Sequence, residues 1–342
     1  MEKSKKMEKS KPMEKSKQDY KSTIPLAQCS DVIRRQMLQC IAPSDIKRMS
    51  EASTVAAELI VKCEMPLTID AVFHRGSTKF TFTSPGGFKS DCIIGRDLLE
   101  VLKTYKSYTV RNVVIKWSPD SGKAGYRNIF NSFYFLPNSL KRYKMEQGSM
   151  RFLCQNLRVK SDATDHEGIE KLQHALHCFK IDRSFELDGV LISFQDLLNT
   201  PIFLMHNGEP LKETHFLNLD ARVAVIVLKR PEKTWRLNDI LFNAFLRSWQ
   251  EGHKKIKFLE VGSDVRKPGP VDQLKLDILV AGLDAKLTKF GSRKFVVEEL
   301  NRKISCRGGW DIESSDGEIG TILRTYGKFT FVVWPKEEND LK

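Results

Sequence analysis

Four times between residues 110 and 181 the chain repeats the pattern apolar-x-x-apolar-x-apolar, at Val110/Val113/Ile115, Phe130/Phe133/Phe135, Cys154/Leu157/Val159 and Leu176/Phe179/Ile181. Ile202-x-Leu204 and Val225-x-Val227 continue it more weakly, and the closing positions 115, 135, 159, 181, 204 and 227 follow one another at 20 to 24 residues. Alternation of this kind makes a strand with one buried side, and so short an interval leaves room for one return segment before the next strand. Each unit is then one strand with a helix or loop behind it, although ordinary α/β alternation gives similar spacing. Ile256/Leu259/Val261 reads as a later member after a longer return. Helical returns fit residues 165–178, where Ile169, Leu172, Gln173 and Leu176 share a face, and residues 194–198. Upstream, Leu67-x-Ile69-x-Ala71-x-Phe73 and Lys79-x-Thr81-x-Thr83 flank His74-Arg75-Gly76 as a hairpin.

The interval is similar to that of leucine-rich repeats, without their usual Asn or Cys after the triplet. The last third has its own pattern. Trp235 and Leu237 lead to Phe242, Phe245, Leu246 and Trp249, which fall at i, i+3, i+4 and i+7 on one helical stripe. Asn238 or Asp239 caps its start, Asn243 and Arg247 take the wetter side, and Gly252 ends it. A strand follows at Leu259-x-Val261. Ser315-Asp316-Gly317 reads as a turn between strands at Trp310-x-Ile312 and 319–323, and residues 329–334 close on an aromatic strand ending at Trp334. In order and spacing, residues 235–334 resemble the type 2 F-box-associated domain of nematode F-box proteins. Leu241 stands where that family has a helix-opening Asp, and Gly320 where it has Ala.

Such proteins carry an F-box upstream, and residues 24–62 fit that demand. Pro25 and Leu26 precede a helix over 31–41 whose apolar face is traced by Val32, Ile33, Gln36, Met37 and Cys40 or Ile41. Pro43 breaks it, Ser44 caps a second helix containing Ile46 and Met49, and a third runs over 51–62 with Val55, Ala56, Leu59 and Ile60 on one side. The F-box pattern has Leu-Pro where this chain has Cys29-Ser30. The resemblance implies docking on the Skp-type adaptor of a cullin ubiquitin ligase, with Pro25, Leu26, Val32, Ile33, Met37, Leu38, Ile46 and Met49 as the adaptor contacts. The alternative is a helical cap on the following domain.

At 342 residues, 41% hydrophobic and 29% charged, the chain has room for a sizeable core. No apolar run approaches the roughly 20 residues that span a bilayer, so no membrane partner is expected. Seven scattered cysteines suit a reducing, intracellular place, cytoplasmic or nuclear. Residues 1–18 are three near-copies of Met-Glu-Lys-Ser-Lys-x and read as a disordered basic tail. The formal charge of +13 supports a rival reading, nucleic-acid binding, with Lys141-Arg142-Tyr143-Lys144 and Lys254-Lys255-x-Lys257 as the places to look.

Chemistry is thin. Gly122-Lys123 lacks the first glycine and the hydroxyl of a phosphate loop. Ser84-Pro85-Gly86-Gly87 reads as a turn. His174, His177 and Cys178 stand close but without a second ligand pair at zinc spacing. Asp311 and Asp316 flank a hairpin and suit turn support better than acid-base work. The expectation is therefore a protein that is not an enzyme, with no catalytic, cofactor-binding or metal residues. Its fold is α/β (α+β): a basic tail at 1–21, a small helical F-box-like module at 22–65, an irregular leucine-rich-repeat-like body at 66–234, an F-box-associated-like region at 235–334 ending in a β-hairpin, and a tail at 335–342. Its function is expected to be substrate recruitment to a cullin-type ligase, with nucleic-acid binding or an F-box-like scaffold without ligase activity as alternatives.

Overall fold

The structure is a computed structural model and describes residues 26–74, 77–93, 96–105, 107–117, 142–144, 150–161, 172, 176–177, 179–189, 195–208, 213–228, 238–263, 274–325 and 327–336. It is a mixed α/β protein built on a large, mostly parallel sheet. Three helices, α1 (Asp31–Gln39), α2 (Pro43–Ala52) and α3 (Thr54–Lys62), precede β1 (Pro66–His74), β2 (Ser77–Thr83), β3 (Lys89–Ile93) and α4 (Arg96–Thr104). The body continues with β4 (Thr109–Trp117), β5 (Arg142–Lys144), β6 (Met150–Ser161), β7 (Phe179–Asp188), α5 (Gln195–Leu198), β8 (Ile202–Gly208), α6 (Glu213–Leu217), β9 (Val223–Leu228), α7 (Asp239–Gln250) and β10 (Phe258–Ser263). It closes with α8 (Leu276–Leu279), β11 (Lys286–Leu287), β12 (Lys294–Val297), β13 (Arg302–Ser305), β14 (Trp310–Glu313), β15 (Ile319–Thr325) and β16 (Lys328–Trp334).

Strands β1, β4, β6, β7, β8, β9 and β10 lie side by side in chain order, every neighbouring pair parallel. The order never reverses along this run, so these strands form no topological switch point of the kind where doubly wound sheets bind nucleotides. Antiparallel strands finish each end, with β2 and β3 beyond β1, and β16, β15, β14 and β11 beyond β10. The expected hairpin of β1 and β2 is present, with His74 opposite Ser77.

One face of the sheet is stacked in register from strand to strand. Ile69 and Ala71 stand beside Val113 and Ile115, these beside Leu157 and Val159, then Phe185 and Leu187, Phe203 and Met205, Ala224 and Ile226, and Leu259 and Val261. All are buried in one cluster with Leu102, Leu198, Phe216 and the α7 stripe, so the returns cover this face. Three expectations need correction. On β7 the stacked pair is Phe185/Leu187, because a bulge between Cys154 and Asn156 shifts the register past Phe179 and Ile181. On β8 and β9, Ile202, Leu204, Val225 and Val227 point the other way, into or against a second cluster. Those strands are apolar on both faces because both faces are covered, so alternation alone cannot choose the inward one. Phe130, Phe133 and Phe135 lie outside the described residues.

The second cluster sits on the opposite face, at the β8-to-β15 end only. There the β12–β13 hairpin and its approach lay Phe290, Val297 and Cys306 over Ile202, Val223, Val225, Phe258, Val332 and Trp334. Trp334 stacks on Phe290 with ring centres 4.3 Å apart and meets Phe295 edge-on at 5.3 Å. Glu260, only 5% exposed on β10, receives Arg302 of the hairpin at 2.7 Å and Lys328 of β16 at 3.3 Å. Burying a carboxylate is costly without such partners.

The C-terminal unit forms as its residues predict. Asn238 caps α7 by accepting the Leu241 amide at 3.0 Å, and Gly252 ends it at φ +83°. Phe242, Phe245, Leu246 and Trp249 are buried. Phe242 packs on Phe329 at 4.3 Å and Trp249 meets Phe331 at 4.9 Å, tying the helix to β16. Asn243 is more than a wet-side residue: its amide donates to the carbonyls of Leu279 and Ala281, while Arg247 donates to Asn243 and to Ala281. The two side chains hold the open carbonyl end of α8. Asp316-Gly317 makes the expected turn, with the Gly317 amide donating to the Ser314 carbonyl at 2.9 Å. Trp235 and Leu237 lie outside the described residues.

Candidate interaction surfaces

Two surfaces stand apart from the packed interior. The first is on the leading helices. Val32 and Ile33 of α1 are 68% and 50% exposed, and Val55 and Val61 of α3 are exposed as well. Helix α1 is held by its other side. Leu38 lies in the main core, and Arg34 is buried, donating to Asp31 at 2.6 Å and to the Cys29 carbonyl at 2.7 Å. Ser30 caps the helix through its side chain, which accepts the Ile33 amide at 3.4 Å. The Cys29-Ser30 step is thus an N-cap and an arginine anchor.

Several expected contacts fall elsewhere. Leu38 and Ile46 are 1% and 0% exposed within the main core, so they hold the helices in place and are not surface contacts. The buried side of α1 is Arg34 and Leu38, not the full Val32-to-Cys40 stripe; a helix that is apolar on two sides leaves that choice to its neighbours. Met37 is half-buried, and Met49 is half-buried against the main core. Helix α2 starts at Pro43, with Ala42 and not Ser44 in the cap position, and α3 starts at Thr54 behind a Ser53 cap. Pro25 lies outside the described residues, and Leu26 begins a single 3-10 turn.

The second surface is the half of the sheet that the β12–β13 hairpin leaves open, and sequence reasoning missed it. Its central row is Thr68, Asn112, Asn156 and Ser184, side by side on β1, β4, β6 and β7. Asn112 donates to Thr68 at 3.1 Å, Asn156 to Asn112 at 2.8 Å, and Ser184 to Asn156 at 2.7 Å. The same row continues into Ile202, Val223, Phe258 and Val332 beneath the hairpin. This row is therefore polar where open and apolar where covered. The signal in the sequence was an Asn directly before Val113 and again before Leu157.

Two lysines of the charge clusters read as nucleic-acid candidates, Lys254 and Lys257, are engaged within the fold. Lys254 donates to the Leu217 carbonyl and lies over the Phe245 ring at 5.5 Å. Burial pulls its pKa below the usual lysine range, against the opposing pull of Asp220. Lys257 pairs with Glu318. Of Lys141 to Lys144, residues 142–144 form β5 and Lys141 lies outside the described residues. Asp311 accepts Thr321 at 2.6 Å and the Lys289 amide at 3.0 Å, and Thr321 in turn accepts the Trp334 indole at 2.8 Å. That chain braces β14 against β15 and β16. Gly122, Lys123, His174 and Cys178 lie outside the described residues, and His177 is exposed in a turn. Among the described residues no three His, Cys, Asp or Glu side chains gather as metal ligands, and no helix is long and apolar enough to cross a membrane.

No protein-family model matches the chain, and no curated protein matches its sequence. Among solved structures, a match is the crystal structure of a point mutant of Escherichia coli phosphofructokinase-2, 10% identical over 59% of this chain and 71% of that one, with a TM-score of 0.18. A likeness that slight carries no argument.

Proposed function

We propose that the chain is a non-catalytic recruiting subunit, which docks on the Skp-type adaptor of a cullin ubiquitin ligase through its leading helices and holds a protein substrate on its sheet body. The observation that carries the reading is the exposure of Val32 and Ile33 on a helix whose opposite side is locked by Leu38 and Arg34. Large aliphatic side chains held in water by a rigid, capped helix suit a docking face, and burying each contributes about 1.5–3 kcal/mol. The resemblance of residues 24–62 to the F-box pattern, and of 235–334 to the F-box-associated domain, supports the same reading, as does the body's succession of strand and return. The contribution to ubiquitin transfer is proximity: the ligase does the chemistry, and this chain raises the local concentration of its target.

Co-purification with the Skp-type adaptor tests it. Val32→Lys with Ile33→Lys should reduce capture at least tenfold while the melting temperature stays unchanged, because both side chains are in solvent. Capture equal to the unaltered chain, or no capture by either, overturns the proposal.

A further inference from the structure

We propose that the open half of the sheet, over β1, β4, β6 and β7, is the recognition face, and that it takes an extended acidic peptide segment of the partner protein. This rests on the recruiting role proposed above and names the chemistry of what is recruited. The same sheet is sealed on this face by the β12–β13 hairpin from β8 onward, so the open half is bounded and begins where Ser184 gives way to Ile202. Its floor is ordered in advance. The Thr68–Asn112–Asn156–Ser184 chain fixes each amide orientation, which leaves little side-chain freedom to lose when a polar backbone settles on it.

Charge selects the occupant. Arg111, Lys116, Arg158, Lys160 and Lys180 are exposed on three adjacent strands of this half. Lys116 and Lys160 stand directly opposite each other in register, a like-charge cross-strand pair that an anionic ligand would relieve. The acidic groups of the same strands are Asp70, Asp182, Glu186 and Asp188; all but Asp182 are half-buried, and Glu186 is occupied by Arg158 at 3.2 Å with His206 at 3.5 Å. Arg111 is steadied by Gln155 at 3.0 Å. Cations interrupted by carboxylates suit discrete Asp and Glu side chains better than a continuous phosphate backbone. The outward residues described on these strands include no aromatic ring on which a base could stack.

The test is fluorescence polarisation of the full chain with a labelled short peptide of alternating Glu and Ser, beside a Lys/Ser peptide and a single-stranded RNA of similar length. The acidic peptide is expected to bind in preference to both. Arg158→Glu with Lys160→Glu should weaken it about tenfold or more, whereas Lys103→Glu, on α4, leaves it unchanged. A lack of preference for the acidic peptide, binding indifferent to Arg158 and Lys160, or RNA binding more tightly with the same dependence overturns the inference. Adaptor capture by the Arg158→Glu/Lys160→Glu chain is read in parallel. Retained capture with failed peptide binding removes this inference alone, while lost capture in the unaltered chain removes the recruiting role.

Discussion

An added methyl group at Gly320 has nowhere to go. A Cβ there would lie 2.4 Å from the Phe331 ring and 2.9 Å from Trp249, the two side chains that clamp α7 to β16. Gly320→Ala should therefore cost about 1–3 kcal/mol by overpacking, read as a lower denaturant midpoint with an unchanged slope. Asn243→Ala should cost about 1–3 kcal/mol, because the Leu279 carbonyl loses a donor, the Ala281 carbonyl is left with Arg247, and Arg247 loses an acceptor. The cysteines give a chemical check. Burial pushes the Cys154 thiol far above its usual range and lifts Cys306 to about 11, whereas Cys40 is exposed. Maleimide near neutral pH should label Cys40 ahead of Cys154 and Cys306, which stay untouched until the chain unfolds. Caps such as Asn238 and Gly252 were legible because a cap acts on its own turn. Gly320 was not, since its need arises from rings 11 residues ahead and 71 behind in sequence (331 − 320; 320 − 249).

The β12–β13 hairpin is an element that sequence reasoning did not find. Its strands are four residues each, and what holds them is distant in the chain: Glu260, Arg222 and the Trp334 ring. Arg302→Ala leaves Glu260 with Lys328 alone and should raise hydrogen exchange over residues 294–305, at a cost of about 1–3 kcal/mol. Acid should loosen the same clasp. Burial tends to raise the Glu299 pKa, but the hydrogen bond and charge of Arg222, with Arg183 nearby, outweigh it and hold the carboxyl below its ordinary value of 4.5. A depressed carboxyl stabilises the fold fully above that value and loses the contribution as pH falls through the lower folded one. Hairpin exchange should thus accelerate below about pH 4.5 before the central strands respond. Helix α7 was legible because it is amphipathic toward one cover, and strands β14 to β16 because the Asp316-Gly317 turn and the aromatic run mark them, although β15 and β16 are buried on both faces. On β8 and β9 the inward face was not, because both faces are apolar.

The main core runs without a break from Leu38 in α1 to Val333 in β16. The helices expected as a separate module therefore share their interior with the sheet. The chain should unfold in a single transition by circular dichroism and by tryptophan fluorescence, and deletion of residues 26–64 should expose Met65, Leu67 and Ile69 and leave an aggregating product. Two resolved transitions, or a soluble folded remnant, would contradict a shared core. Strand succession was legible from the triplets because each return is short. The uneven true interval was not, since bulges and the long α7 return change the count without changing the order. That fixed order makes the molecule a ruler. Seven parallel strands leave six gaps of about 4.8 Å, so roughly 29 Å separates β1, where the helices attach, from β10 beneath the hairpin. One more strand and return would lengthen that reach by about 5 Å without altering either end.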